Sequence, residues 1–85
     1  MTTNTKQNKQ MRDILKENGL SDWSVKIIHS GGGLTVFKTK EIWLDASHFN
    51  LVFFLHELTH ALGYKGHDAI WADKYTALLE KYLFK

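Results

Sequence analysis

The sequence predicts an α+β domain: an N-terminal helix, a three-stranded antiparallel meander, a central helix and a C-terminal helix. Three observations carry this. Apolar residues recur at helical spacing near the N-terminus and again towards the C-terminus. Between Trp23 and Leu44 the pattern changes to alternation, rich in β-branched and aromatic residues. A nearly unbroken apolar run then follows from Phe49, interrupted by two histidines and a glutamate. A chain of 85 residues supports one modest core, so residues 8–85 read as a single domain. Residues 1–7 are polar and read as a disordered tail.

Each element has its own signal. From about Asn8 to Asn18, Met11, Ile14 and Leu15 form one helical stripe, and Asn18-Gly19 is a stop. Trp23 to His29 alternates as a first strand, and Ser30-Gly31-Gly32-Gly33 is a turn. Leu34 to Lys38 is a second strand, turning through Lys38-Thr39-Lys40 into a third, Glu41 to Leu44. Asp45, Ala46 and Ser47 offer N-caps for the central helix. On that helix Phe49, Val52, Phe53, His56 and His60 share one side, while Leu51, Leu55, Leu58 and Leu62 crowd another. A helix apolar nearly all round is expected to be buried. Gly63 ends it. A last helix runs from Asp68 to about Leu83, with Trp71, Tyr75, Leu78, Leu79 and Tyr82 at repeating intervals.

Composition excludes several classes of function. Without cysteine there are no disulfides, thiolate metal sites or thiol chemistry. Eleven basic against nine acidic residues, net +2, fall short of a dedicated nucleic-acid binder, and the lysines are dispersed. The N-terminus lacks the apolar segment of a secretory signal, and Leu51 to Leu55 is too short to span a bilayer. A cytoplasmic protein without membrane association is expected.

The chemistry concentrates in His56-Glu57-Leu58-Thr59-His60. Positions four apart lie one turn above each other on a helix, so His56 and His60 can share one metal ion. Glu57 then stands beside the metal's open position, where it can serve as acid and base toward water. The competing reading is an amphipathic helix with incidental histidines, but a glutamate in a buried helix needs a partner. Catalytic zinc sites have three protein ligands. His67 is the candidate third, reached through the flexible Gly63–Gly66 segment. Asp68 is a competing oxygen ligand that could equally cap the last helix, and Glu80 is a more distant one. His29 and His48 lack ligand spacing. Tyr64 and Tyr75 are candidates to stabilise an oxyanion, against a packing role for each.

His56-Glu57-Leu58-Thr59-His60-Ala61-Leu62, followed by Gly66-His67-Asp68-Ala69-Ile70-Trp71, resembles the SprT-like and WLM zinc metallopeptidases. Their pattern is His-Glu-Leu-x-His, a short loop, then a histidine with an aromatic residue four positions on. Residues 33–45 also resemble their strand–turn–strand approach to the active helix. The resemblance covers residues 23–82. It implies a minimal zincin-like core, one zinc ion per chain held by His56, His60 and His67, and Glu57 as catalytic acid/base. It also implies a peptide or protein substrate added along the hairpin edge at Ile42 to Leu44. Members of the family often cleave proteins on, or crosslinked to, DNA. The interval from His60 to His67 is one residue longer than in the compact WLM arrangement. Metzincins match less well: their third histidine would fall at Gly66, and no methionine follows Met11. The alternative to a peptidase is a zinc-stabilised interaction or regulatory module with little or no hydrolysis.

Overall fold

Met11, Ile14 and Leu15 are buried on one face of the first helix, α1 (Thr5–Glu17), and this stripe is one wall of the core. The computed structural model describes residues 5–84. Because α1 begins at Thr5, residues 5–7 are helical, contrary to the tail expected over 1–7; residues 1–4 of that tail lie outside the described residues. Gly19, at φ +78°, closes the helix in a Schellman turn, with Leu20 N–H donating to Leu15 O and Gly19 N–H to Lys16 O.

The strands are β1 (Ser24–Ile28), β2 (Gly33–Val36) and β3 (Glu41–Asp45). They form a mixed sheet in the order β1-β3-β2, with β3 parallel to β1 and antiparallel to β2. The expected antiparallel meander is therefore corrected: only the β2–β3 pairing is a hairpin. Burial explains the order. Ile42 and Leu44 are fully buried, so β3 is the most apolar strand and takes the centre. Residues 29–40 supply the long connection that a parallel pair requires. Gly31 and Gly32, at φ +109° and +74°, bend the chain past β3 instead of folding β2 onto β1. Ile42 to Leu44 is consequently paired on both sides and cannot be an open edge; the free edges belong to β1 and β2.

Asp45 holds the crossing in place. Its N–H donates to Gly32 O at 2.9 Å, and its carboxylate accepts from Gly32 N–H at 2.7 Å. The same carboxylate accepts from Ser47 Oγ and from the His48 backbone N–H, with His48 Nδ1 at 2.7 Å. Asp45 thus caps a single 3₁₀ turn, Ala46–His48, rather than the central helix. Hydrogen bonds from His48, then Ser47, then the Gly32 N–H hold its carboxyl well below the usual carboxylate range. Because the folded form binds its proton more weakly than the unfolded form, Asp45 stabilises the fold above about pH 4, the usual carboxylate value. That contribution is lost as the pH falls from there towards the depressed folded value. An Asp45→Asn variant should accordingly be less stable than wild type at pH 6, and the gap should narrow by pH 3 in urea titrations. A gap constant across that range would contradict the assignment.

The central helix, α2 (Leu51–Ala61), is capped by Asn50, whose side chain accepts from Phe53 N–H. Phe54, Leu55, Leu58 and Thr59 face the core, whereas Val52 and Phe53 are 46% and 40% exposed. The helix is not buried over its whole circumference: α1, the sheet and α3 pack against it and leave Val52 and Phe53 uncovered. The last helix, α3 (Ala69–Tyr82), carries buried Trp71 and Leu78 against α2. Its far end is pinned to α1, with Tyr82 hydroxyl donating to Glu17 and Asn18 Nδ2 donating to the Tyr82 oxygen. Among the described residues no helix is long and apolar enough to cross a membrane.

Candidate metal centre

α2 ends in a second Schellman turn. Gly63 takes φ +108°, its N–H donates to His60 O, and Tyr64 N–H donates to Thr59 O. The turn folds the chain back over the helix end, so that the Tyr64 carbonyl lies 2.8 Å from His60 Nδ1. The proton of His60 must then sit on Nδ1, since a carbonyl can only accept. Its Nε2 is left with a free lone pair.

That lone pair faces two further imidazole nitrogens. His67 Nε2 lies 3.1 Å from His60 Nε2 and 3.2 Å from His56 Nε2, and the three ligand atoms fall within 4.8 Å of one another. Each neutral imidazole nitrogen has one in-plane proton or one lone pair. A single His67 nitrogen therefore cannot satisfy both neighbours by hydrogen bonding. A cation between them can. Nitrogens bonded at about 2.0–2.1 Å to a tetrahedral ion lie about 3.3–3.4 Å apart, close to the observed separations. His56, His60 and His67 thus lie close enough to hold a metal ion, and the donor set fits one. Burial keeps His56 below the ordinary imidazole range; Glu57 opposes this, and His60 and His67 add to it. A neutral imidazole is the ligating form.

Trp71 organises the cluster from below. Its ring centroid lies 4.8 Å from that of His56, 5.6 Å from His60 and 4.7 Å from His67. Trp71 Nε1 is buried without a partner among the described residues, a cost that this packing must offset. Tyr75 stacks on Trp71 and donates its hydroxyl to Val52 O. Burial raises its pKa. Its hydroxyl is therefore engaged by a backbone carbonyl, while its ring lies 5.8 Å from that of His56; Tyr64 contributes its carbonyl. Asp68 caps α3 through Trp71 N–H and is not part of the cluster. Glu80 and His29 are exposed and elsewhere, and His48 belongs to the Asp45 turn.

Glu57 does reach the site. Its Oε2 stands 3.9 Å from His56 Nε2, and its side chain is only 12% exposed. Two residues that the sequence reading passed over surround it. Thr35 Oγ1 lies 2.8 Å from Glu57 Oε1 and 2.9 Å from Glu57 O. At Gly33 a Cβ would stand 3.0 Å from Oε2 and 3.3 Å from Cγ, so any larger residue would press the carboxylate aside by a few tenths of an ångström. The available signal was the period of two in β2, which puts 33 and 35 on one face. Thr35, Leu34 and Phe37 on one side, and Glu57, His60, Lys65 and His67 on the other, line an open cleft of about 420 Å³. Comparison with protein-family models, characterised proteins and solved structures yields no match for this chain.

Proposed function

We propose that the chain is a small zinc-dependent metallopeptidase, similar to SprT-like and WLM enzymes, with a zincin-like core. His56, His60 and His67 hold one zinc ion. The observation that carries the reading is the meeting of three imidazole Nε2 atoms beside the Glu57 carboxylate, with Glu57, His60 and His67 lining one open cleft. Bound zinc supplies a water of pKa about 7 and polarises a carbonyl. Glu57 takes the proton from the attacking water and delivers it to the leaving amine. Tyr64 O and Trp71 fix the imidazole orientations on which the site depends. The unpaired edge of β2, whose residues line the cleft, is where an extended peptide can add. Association with nucleic acid rests on the resemblance alone, Lys65 being the one lysine or arginine among the described residues that lines the cleft.

The test is metal analysis of protein purified without added zinc, paired with hydrolysis of a peptide pool. One zinc per chain and chelator-sensitive cleavage are expected, and His67→Ala should lose the metal. Equal zinc in wild type and His67→Ala would remove His67 from the site.

A second reading, zinc serving as a structural staple in an interaction module, is favoured by one feature. Residues 65–70 are exposed, and His67 meets α2 through the histidine cluster. Metal removal should therefore loosen the fold in either case. Free metal at 100 times its dissociation constant stabilises by about 2.7 kcal/mol. For a domain of this size, chelation should lower Tm by on the order of 10–20 °C in a thermal melt. An unchanged Tm would count against a bound metal in both readings, and absent hydrolysis of any peptide would exclude the peptidase.

A further inference from the structure

Glu57 is a charged group with little water around it, and Thr35 is the hydroxyl that reaches it. We propose that Thr35 is a positioning residue, its hydroxyl tethering Glu57 so that the second carboxylate oxygen is held beside the histidine cluster. This rests on the metallopeptidase reading above.

A glutamate on a half-buried helix face ordinarily samples several rotamers, and holding it in one costs side-chain entropy. Two features of β2 restrict it. Residues 33 and 35 lie opposite Leu44 and Ile42 in the sheet register, on the face turned towards α2. Gly33 leaves space on the Oε2 side, where any Cβ would stand 3.0 Å away. On the Oε1 side Thr35 contributes a hydrogen bond of 2.8 Å. The single Thr35 proton is shared between Oε1 and the Glu57 backbone O at 2.9 Å, both of which can only accept, so one hydroxyl ties strand, helix backbone and carboxylate together. A donor to an ionised carboxylate is among the stronger hydrogen bonds. With Oε1 committed, Oε2 is left for the proton transfer, 3.9 Å from His56 Nε2.

Thr35→Val keeps the shape and β-branching of the side chain and deletes the hydroxyl, whereas Thr35→Ser keeps the hydroxyl. Both should fold and bind one zinc. The valine variant should lose kcat by about 10- to 100-fold with little change in KM, and the serine variant should recover most of it. A readout independent of turnover is the side-chain carboxyl ¹³C resonance of Glu57 in metal-free protein. It is assigned among Glu17, Glu41, Glu57 and Glu80 by its absence in Glu57→Gln. That resonance should move in Thr35→Val and return in Thr35→Ser. An unmoved resonance in Thr35→Val, wild-type kcat in that variant, or equal losses in the valine and serine variants would each overturn the proposal. A wild-type protein that cleaves nothing would instead remove the peptidase reading, and the metal-free resonance would still decide whether Thr35 holds the carboxylate.

Discussion

Glu57→Gln should retain one zinc ion and a wild-type melting temperature while losing peptide cleavage by about two to four orders of magnitude. Glutamine matches glutamate in shape, and its carbonyl can still accept from Thr35, so the contact at 2.8 Å survives. It cannot take a proton from water. The variant therefore separates the base from the metal site, which no histidine substitution can do. Steady-state hydrolysis, measured beside metal content, checks the expectation. Undiminished cleavage would show that another group is the base. Loss of zinc together with activity would show that the carboxylate acts first on the site's integrity.

Phe54→Ala should be the most damaging single change to the fold. Phe54 is fully buried among Leu15, Ile42, Leu55 and Leu58, at the junction of α1, the sheet and α2. Truncating a buried phenylalanine costs about 3–5 kcal/mol, from lost transfer energy and the cavity left behind. A domain of this size has a total stability of roughly 4–13 kcal/mol at ordinary values per residue. Much of the folded state's margin would go. Urea denaturation should show the midpoint falling sharply, and the apo-protein, lacking the metal's contribution, should be the more affected. A loss below about 1 kcal/mol would mean that the surrounding residues collapse onto the gap.

The histidine face of α2 was legible in the sequence because helical periodicity is local. His56 and His60 one turn apart must share a face, and a glycine-containing loop of moderate length must bring His67 somewhere near. The helix ends were legible for the same reason, with Gly19 and Gly63 both adopting the left-handed conformation. Sheet order was not. It depends on which strand is most valuable to bury, and only the assembled core puts Ile42 and Leu44 at the centre. Capping at Asn50 rather than Asp45 was obscured by the intervening 3₁₀ turn, for which Asp45 and Asn50 are equally good starting residues by type. The support of Glu57 by Gly33 and Thr35 was invisible until β2 was known to lie against α2.

The turn at Gly63 has a consequence for how this site tolerates change in chain length. His60 is engaged twice by the same turn: its backbone carbonyl receives the Gly63 N–H, and its ring faces the Tyr64 carbonyl. Ala61 to Tyr64 is consequently a ruler of fixed length, and one residue added or removed there would misplace the carbonyl that sets the ring's proton. Lys65 and Gly66 carry no such duty. The spacing between the second and third histidines can therefore drift at that point alone, and relatives with shorter or longer intervals would be expected to differ there while keeping the turn.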